Sequence, residues 1–135
     1  MDVPEIWPHD VLRDILADYA RQLEDDPELL GWSIWLILHP DHRTLIGDAG
    51  FKGKPDHGAV DIGYAIVPDQ RRRGYASEAA RALATWALAK PSVTRVLADC
   101  DRNNNPSIHV LRKIGMQSTG EDGNLLLWEL RSDRN

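Results

Sequence analysis

The chain alternates between short apolar runs and one long alanine-rich periodic stretch. Behind Asp10, an N-cap residue, Val11, Leu12, Ile15, Leu16, Tyr19 and Leu23 recur at helical spacing, and that helix ends near Asp25-Asp26-Pro27. Trp32-Ser33-Ile34-Trp35-Leu36-Ile37-Leu38 reads as a strand closed by the turn His39-Pro40-Asp41-His42. Thr44 to Phe51 is a second strand, in which Gly47 and Gly50 mark a close backbone approach or a bulge. After the hairpin loop Lys52–Gly58, Ala59 to Val67 is a third strand and completes an antiparallel run. From Gly74 or Tyr75 to Ala89 the periodicity through Ala79, Leu83 and Trp86 predicts a helix. Val93 to Asp101 is the next strand, and a strand–helix–strand unit of this length makes a parallel pair. Pro106 to Lys113 is a short helix stopped by Gly115, and Asn124 to Leu130 is the last strand. The architecture expected is mixed α+β, one domain over residues 1–135, with Trp32, Trp35, Trp86 and Trp128 in the core.

Composition narrows the function classes. At 135 residues and 42% hydrophobic content, the chain supports one core and not two. A net charge of −5 argues against a general nucleic-acid binder, which needs a basic face. No apolar run approaches membrane-spanning length, and the start has no signal-peptide pattern, so no membrane contact is expected. The one cysteine, Cys100, excludes an internal disulfide and fits the reducing cytoplasm. It sits in an apolar strand, where packing is its expected role and acyl carriage the alternative. His39 and His42 lack further ligands at useful spacing, so no metal is expected, and His57 belongs to a surface loop.

Against this acidic background Arg71-Arg72-Arg73 stands out, followed directly by Gly74-Tyr75-Ala76-Ser77 at a helix start. Cations at a helix N-terminus oppose the helix dipole, each forfeiting about 0.3–1 kcal/mol when exposed. A bound polyanion reverses that sign, because the free amides and the dipole already favour phosphate. A charge run alone is a solvated turn; with the glycine and the helix behind it, this one reads as a phosphate-cradling loop for a pyrophosphate-bearing cofactor.

Three segments carry a family resemblance. Arg71-Arg72-Arg73-Gly74-Tyr75-Ala76 resembles the Arg/Gln-x-x-Gly-x-Gly/Ala acyl-CoA loop of the GNAT acetyltransferases. Asp61-Ile62-Gly63-Tyr64 is similar to the family's Glu-Ile-Gly-Tyr. Asn104-Asn105-Pro106-Ser107, with Val110-Leu111-Arg112-Lys113-Ile114-Gly115-Met116, is similar to Asn-x-x-Ser…Val-Leu-x-Lys-x-Gly-Phe. All three occur in order, and the likeness is greatest to the branch containing ribosomal-protein N-terminal acetyltransferases.

The resemblance implies a mostly antiparallel sheet with a splayed parallel pair, flanked by helices and shortened at the N-terminus. It implies acetyl-CoA as co-substrate: the pantetheine arm beside Ile66 and Val67, and the pyrophosphate on the amides of Arg72 to Ser77, with Arg71 in the same loop. Direct transfer to a primary amine, on a protein N-terminus or a small molecule, follows from it. Such transfer needs a base, an oxyanion donor and a proton for the thiolate. Asp61 is the implied base, directly or through water, and an N–H near Ile66 or Val67 the oxyanion donor. Ser107 is the implied proton donor or positioner, or else a helix N-cap; Asn104 orders the turn or contacts the cofactor. Tyr75 covers the cofactor or packs beneath the loop. About thirty residues precede Trp32, fewer than the family's first strand and helices occupy, so the acceptor side is open or completed by a second subunit. The alternative is a non-catalytic acyl-CoA-binding module.

Overall fold

The computed structural model describes residues 20–39, 45–66 and 74–133. Helical backbone over 20–25 and a 3₁₀ turn, Pro27–Leu29, lead into β1 (Ile34–Leu38), β2 (Leu45–Phe51) and β3 (Ala59–Ile66). Helix α1 (Tyr75–Leu88), β4 (Arg95–Asp101), α2 (Asn105–Lys113), β5 (Gln117–Asp122) and β6 (Leu125–Arg131) follow. The six strands form one sheet in the order β1-β2-β3-β4-β6-β5. Every neighbouring pair is antiparallel except β3 and β4, which are parallel as expected. The mixed α+β reading therefore holds. The start of the helix expected from Asp10, the turn at residues 40–42, Thr44, Val67 and Arg71 to Arg73 lie outside the described residues.

β5 was not anticipated. Its sequence, Gln117 to Asp122, is polar and exposed throughout, so it shows no alternation and is a strand only because β6 pairs with it. The glycine reading of β2 is confirmed. A Cβ on Gly50 would lie 1.6 Å from the Ser33 carbonyl oxygen, the oxygen that accepts the Phe51 N–H at 2.8 Å. The β1–β2 register slips between Ile37 and Leu38, directly opposite Gly47.

The core lies between the sheet and the two helices. Ala80, Ala84 and Ala87 of α1 are almost fully buried, and their small side chains let the helix lie close against Val60 and Ile62 of β3. Val96, Ala98 and Cys100 of β4 bury beside them, and Leu111 and Ile114 of α2 close the layer. Helix α2 ends in a Schellman motif: Gly115 takes φ +97°, its N–H reaches the Arg112 carbonyl, and the Met116 N–H reaches the Leu111 carbonyl. Of the four tryptophans assigned to the core, Trp128 is buried, and Trp32 and Trp86 are half-buried in an aromatic cluster with Phe51. Trp35 departs from the expectation: it is 39% exposed, with its ring edge-on to Trp86 and its indole N–H donating to the Gly31 carbonyl at 2.8 Å.

One feature of the sheet positions the site. The parallel ladder joins only Ala59 to Arg95, Val60 to Val96 and Asp61 to Leu97. Beyond it β3 stays paired to β2 as far as Ile66, and β4 stays paired to β6 as far as Asp101. The facing edges of Ile62–Ile66 and Ala98–Asp101 therefore carry backbone groups with no ladder partner in each other.

Candidate active site

A cleft of about 1000 Å³ fills that gap. Its walls are Ile62 to Ala65 of β3, Asp99 and Cys100 of β4, the first turn of α1 and one face of α2 from Pro106 to Lys113. Strand alternation divides the gap into two faces. Val60, Ile62 and Tyr64 point to the side covered by α1 and α2, in the core cluster. Asp61, Gly63 and Ala65 point to the other side, as does Asp99, two residues beyond the Leu97 that pairs with Asp61.

Helix α1 delivers its N-terminus to the cleft. Gly74 is its N-cap, in the left-handed region at φ +81°, and among the described residues no side chain caps the amides behind it. Among the described residues nothing lies within 4 Å of where a Gly74 Cβ would sit. Gly74, Tyr75, Ala76 and Ser77 all border the cleft. Tyr75 does so while its ring stands edge-on to His39, 5.7 Å between centroids. Ile66 is on β3 by backbone, at the end of the ladder to β2. An amide-bearing arm fits a cleft edged by unpartnered strand groups, and an anion fits the uncapped helix end.

Helix α2 supplies the polar groups opposite. Asn104 is its N-cap and accepts the Ser107 N–H on Oδ1 at 3.2 Å; it also borders the cleft. The reading of Ser107 as a cap is thus corrected: it is the third residue of the helix, and Asn104 does the capping. The Ser107 hydroxyl lies 2.8 Å from the Tyr64 hydroxyl, both on the cleft wall. Burial foremost raises the Tyr64 phenol above its ordinary range, the hydrogen bond shared with Ser107 opposing it.

The structure does not bring Asp61 and Ser107 together on the cleft wall. Asp61 is half-buried at the last paired position and does not line the cleft, whereas Asp99 does, 3.1 Å from Lys52 Nζ. Tyr64 and Asp99 are the residues sequence reasoning missed. Tyr64 stood inside the quoted Asp61–Tyr64 segment, and Asp99 is legible once β4 is set in register with β3. Cys100 packs in the core as expected, and in addition borders the cleft. His57 is exposed in its loop beside Asp56, away from the cleft. No cluster of metal-binding side chains occurs among the described residues.

Comparison with known proteins resolves the family. The sequence matches the family model of the acetyltransferase (GNAT) domain over residues 2–117. The chain belongs to the GNAT acetyltransferase family. An uncharacterised N-acetyltransferase of Bacillus subtilis, YjdG, is 34% identical over 110 residues, 81% of this chain and 66% of its own. The chain spans about half to two thirds of the length of the curated relatives it matches. Among solved GNAT structures, spermidine N-acetyltransferase from Vibrio cholerae, in complex with CoA and spermine, superposes with TM-score 0.75 at 12% identity, covering 94% of this chain and 79% of that one. RimL, a ribosomal L7/L12 α-N-protein acetyltransferase in complex with coenzyme A, gives 0.67 at 21% identity, over 76% and 63%. The splayed sheet is therefore the GNAT fold.

Proposed function

We propose that this GNAT domain, one unit over residues 1–135, transfers an acetyl group from acetyl-CoA directly to a primary amine. The observation that carries the reading is the coincidence of the opened β3–β4 edge with the uncapped N-terminus of α1. The pantetheine amides would pair along Ile62 to Ile66, with Val67 as a further cofactor contact. The pyrophosphate would rest on the amides from Arg72 to Ser77, beside the guanidinium groups of Arg71, Arg72 and Arg73. Bound there, acetyl-CoA supplies an activated acyl carbon inside the gap.

The two faces then divide the work. Asp61 and Asp99 lie on the face turned away from the helices, where an ammonium must lose its proton before attacking. Asp61, set back from the cleft wall, acts as base through a water. Ser107 lies on the helix-covered face and serves the departing sulfur. The carboxylates, with Asp48 beside Ala65 on the same face, favour a cationic acceptor, whether a protein N-terminus or a small amine. The neighbours named above include both kinds, a ribosomal-protein and a spermidine acetyltransferase.

A cytoplasmic location is part of the proposal; among the described residues no helix is long and apolar enough to cross a membrane. So is a homodimer, for which the edge strand β1 is suited: Leu36 and Leu38 are 43% and 44% exposed. The position of Asp61 off the cleft wall favours one other reading, a non-catalytic acyl-CoA-binding module. Calorimetric titration with acetyl-CoA, against dephospho-CoA and ADP, tests the site. Saturable binding with a gain from the pantetheine arm supports it, and no binding at millimolar ligand ends it. Turnover of acetyl-CoA with a panel of amines then decides between enzyme and binding module.

A further inference from the structure

We propose that Tyr64 is a positioning residue for the leaving thiol: its phenol turns the Ser107 hydroxyl into the cleft and replaces the proton that Ser107 gives up. The proposal rests on the acetyl-transfer reading and adds a second member to its acid side.

Geometry carries the argument. The two hydroxyl oxygens are 2.8 Å apart, on β3 and α2, and both border the cleft. Their bond therefore ties β3 to α2 along the cleft wall, beside the stretch where the β3–β4 ladder has ended. Ser107 cannot drift along the helix, because its N–H is held by Asn104 Oδ1. A serine hydroxyl has a single hydrogen and two lone pairs, so the direction of the shared bond decides where that hydrogen points. When the phenol donates, the Ser107 hydrogen is released toward the cleft. When Ser107 donates, it is lost to the cleft. The phenol, its ionisation raised above the ordinary value foremost by burial, keeps its proton through the neutral range and so has a hydrogen to donate. A tyrosine is also the better proton source, since an alkyl hydroxyl that gave up its hydrogen alone would be left as a high-energy alkoxide.

The step balances as follows. The amine nitrogen attacks the thioester carbonyl carbon; the C–N bond forms, the C–S bond breaks and its electron pair leaves on sulfur. Ser107 gives its hydroxyl proton to that sulfur as Tyr64 gives its own to Ser107. Water returns a proton to Tyr64, and the proton lost by the amine leaves by the carboxylate face. The products are the amide and the free thiol.

The test uses the full chain, Tyr64→Phe and Ser107→Ala, with three measurements on each. These are CoA affinity by calorimetry, the titration midpoint of the bound CoA thiol by thiolate absorbance, and kcat with acetyl-CoA and with its selenoester analogue. A selenol is a much stronger acid than a thiol and leaves without a proton. Affinity should stay within about twofold. The thiol midpoint should rise by about one unit in Ser107→Ala and about half a unit in Tyr64→Phe, because a hydrogen bond to the thiolate is lost or misdirected. The loss in kcat, about tenfold with the thioester, should shrink to less than about twofold with the selenoester. Asp99, Cys100, His109 and Lys113 line the same cleft in all three proteins and cancel in the comparison.

Equal thiol midpoints in the three proteins, or an equal loss of kcat with both esters, would overturn the proposal. A parent that acetylates no amine but still shows the shifted midpoints would remove the acetyltransferase reading and leave the hydroxyl pair as a thiolate-binding element. Tyr64→Phe removes one oxygen and keeps the ring. If it nonetheless fails to fold, Ser107→Thr, which retains the hydroxyl, should restore the parental midpoint that Ser107→Ala loses, and failure to do so overturns the proposal equally.

Discussion

The sealed and the open halves of the β3–β4 pair are made from the same two strands and do opposite things. In the sealed half, Ala59 to Asp61 pair with Arg95 to Leu97, and Val60 and Val96 are 3% and 0% exposed. In the open half the ladder is gone, yet Ile62, Ala98 and Cys100 remain just as buried, at 4%, 5% and 6%. Side-chain packing thus continues across a stretch where backbone pairing stops. A buried backbone group left unmatched costs about 1–3 kcal/mol, so the open half holds a demand that a ligand with amides can meet. The core pins the strands apart, and the gap between them is the site proposed above.

The largest effect expected is on the open half. Gly74→Asp places a carboxylate among the free amides of α1 and should weaken acetyl-CoA binding by at least about a hundredfold, or about 2.7 kcal/mol. Gly74→Asn has nearly the same shape and tolerance of positive φ without the charge, and should lose much less. Calorimetry on both would show whether charge is what matters; equal losses would mean that it is not. The sealed half should respond in the other currency. Val60→Ala should cost about 2 kcal/mol in denaturant unfolding with little change in cofactor affinity. If it weakened binding as strongly as the glycine change, the two halves would not be separable.

How much of this was legible beforehand follows from what side chains advertise. The helices α1 and α2, the strands β1 to β4 and β6, and the parallel pair all show in apolar periodicity, because each buries a face. The end of the ladder at Asp61 does not show, since it depends on where two strands diverge and Ile62 reads as buried on either side of that point. β5 was invisible because Gln117 to Asp122 bury nothing. Within the site, Gly74 and Asn104 were legible from local backbone chemistry. The Tyr64–Ser107 bond was not, because it spans 43 positions and depends on how α2 docks. Asp61 was singled out by resemblance, and only register shows Asp99 to be the carboxylate on the wall.

That pair of carboxylates gives the next sharpest test. Asp61→Asn should lower kcat about tenfold, about 1.4 kcal/mol, with acetyl-CoA affinity unchanged and the loss deepest at low pH, where fewer amines are neutral. Asp99→Asn should lose less, because Lys52 already engages that carboxylate at 3.1 Å. Kinetics across pH on both variants settles the assignment. A deeper loss for Asp99→Asn would transfer the base to the cleft wall, and no loss from either would favour the binding-module reading.

The smallest effect should come from the phenol on the covered face. Burial raises the Tyr64 ionisation in the folded chain above its ordinary value near about 10. Below that value both folded and unfolded chains keep the proton, so the contribution of the protonated phenol is fully present. As pH rises past it, the unfolded chain sheds its proton first and stability falls, until the folded chain also ionises. One proton gives a slope of at most about 1.4 kcal/mol per pH unit, and partial exposure reduces it further. Denaturant unfolding of the parent and Tyr64→Phe between pH 8 and 11 isolates this group from the other alkaline titrations. The parent should lose stability faster, and the two curves should converge as pH rises. Parallel curves would mean that the phenol is as well solvated in the folded chain as in the unfolded one, and that the two faces of the gap do not differ in the way the half-buried Tyr64 implies.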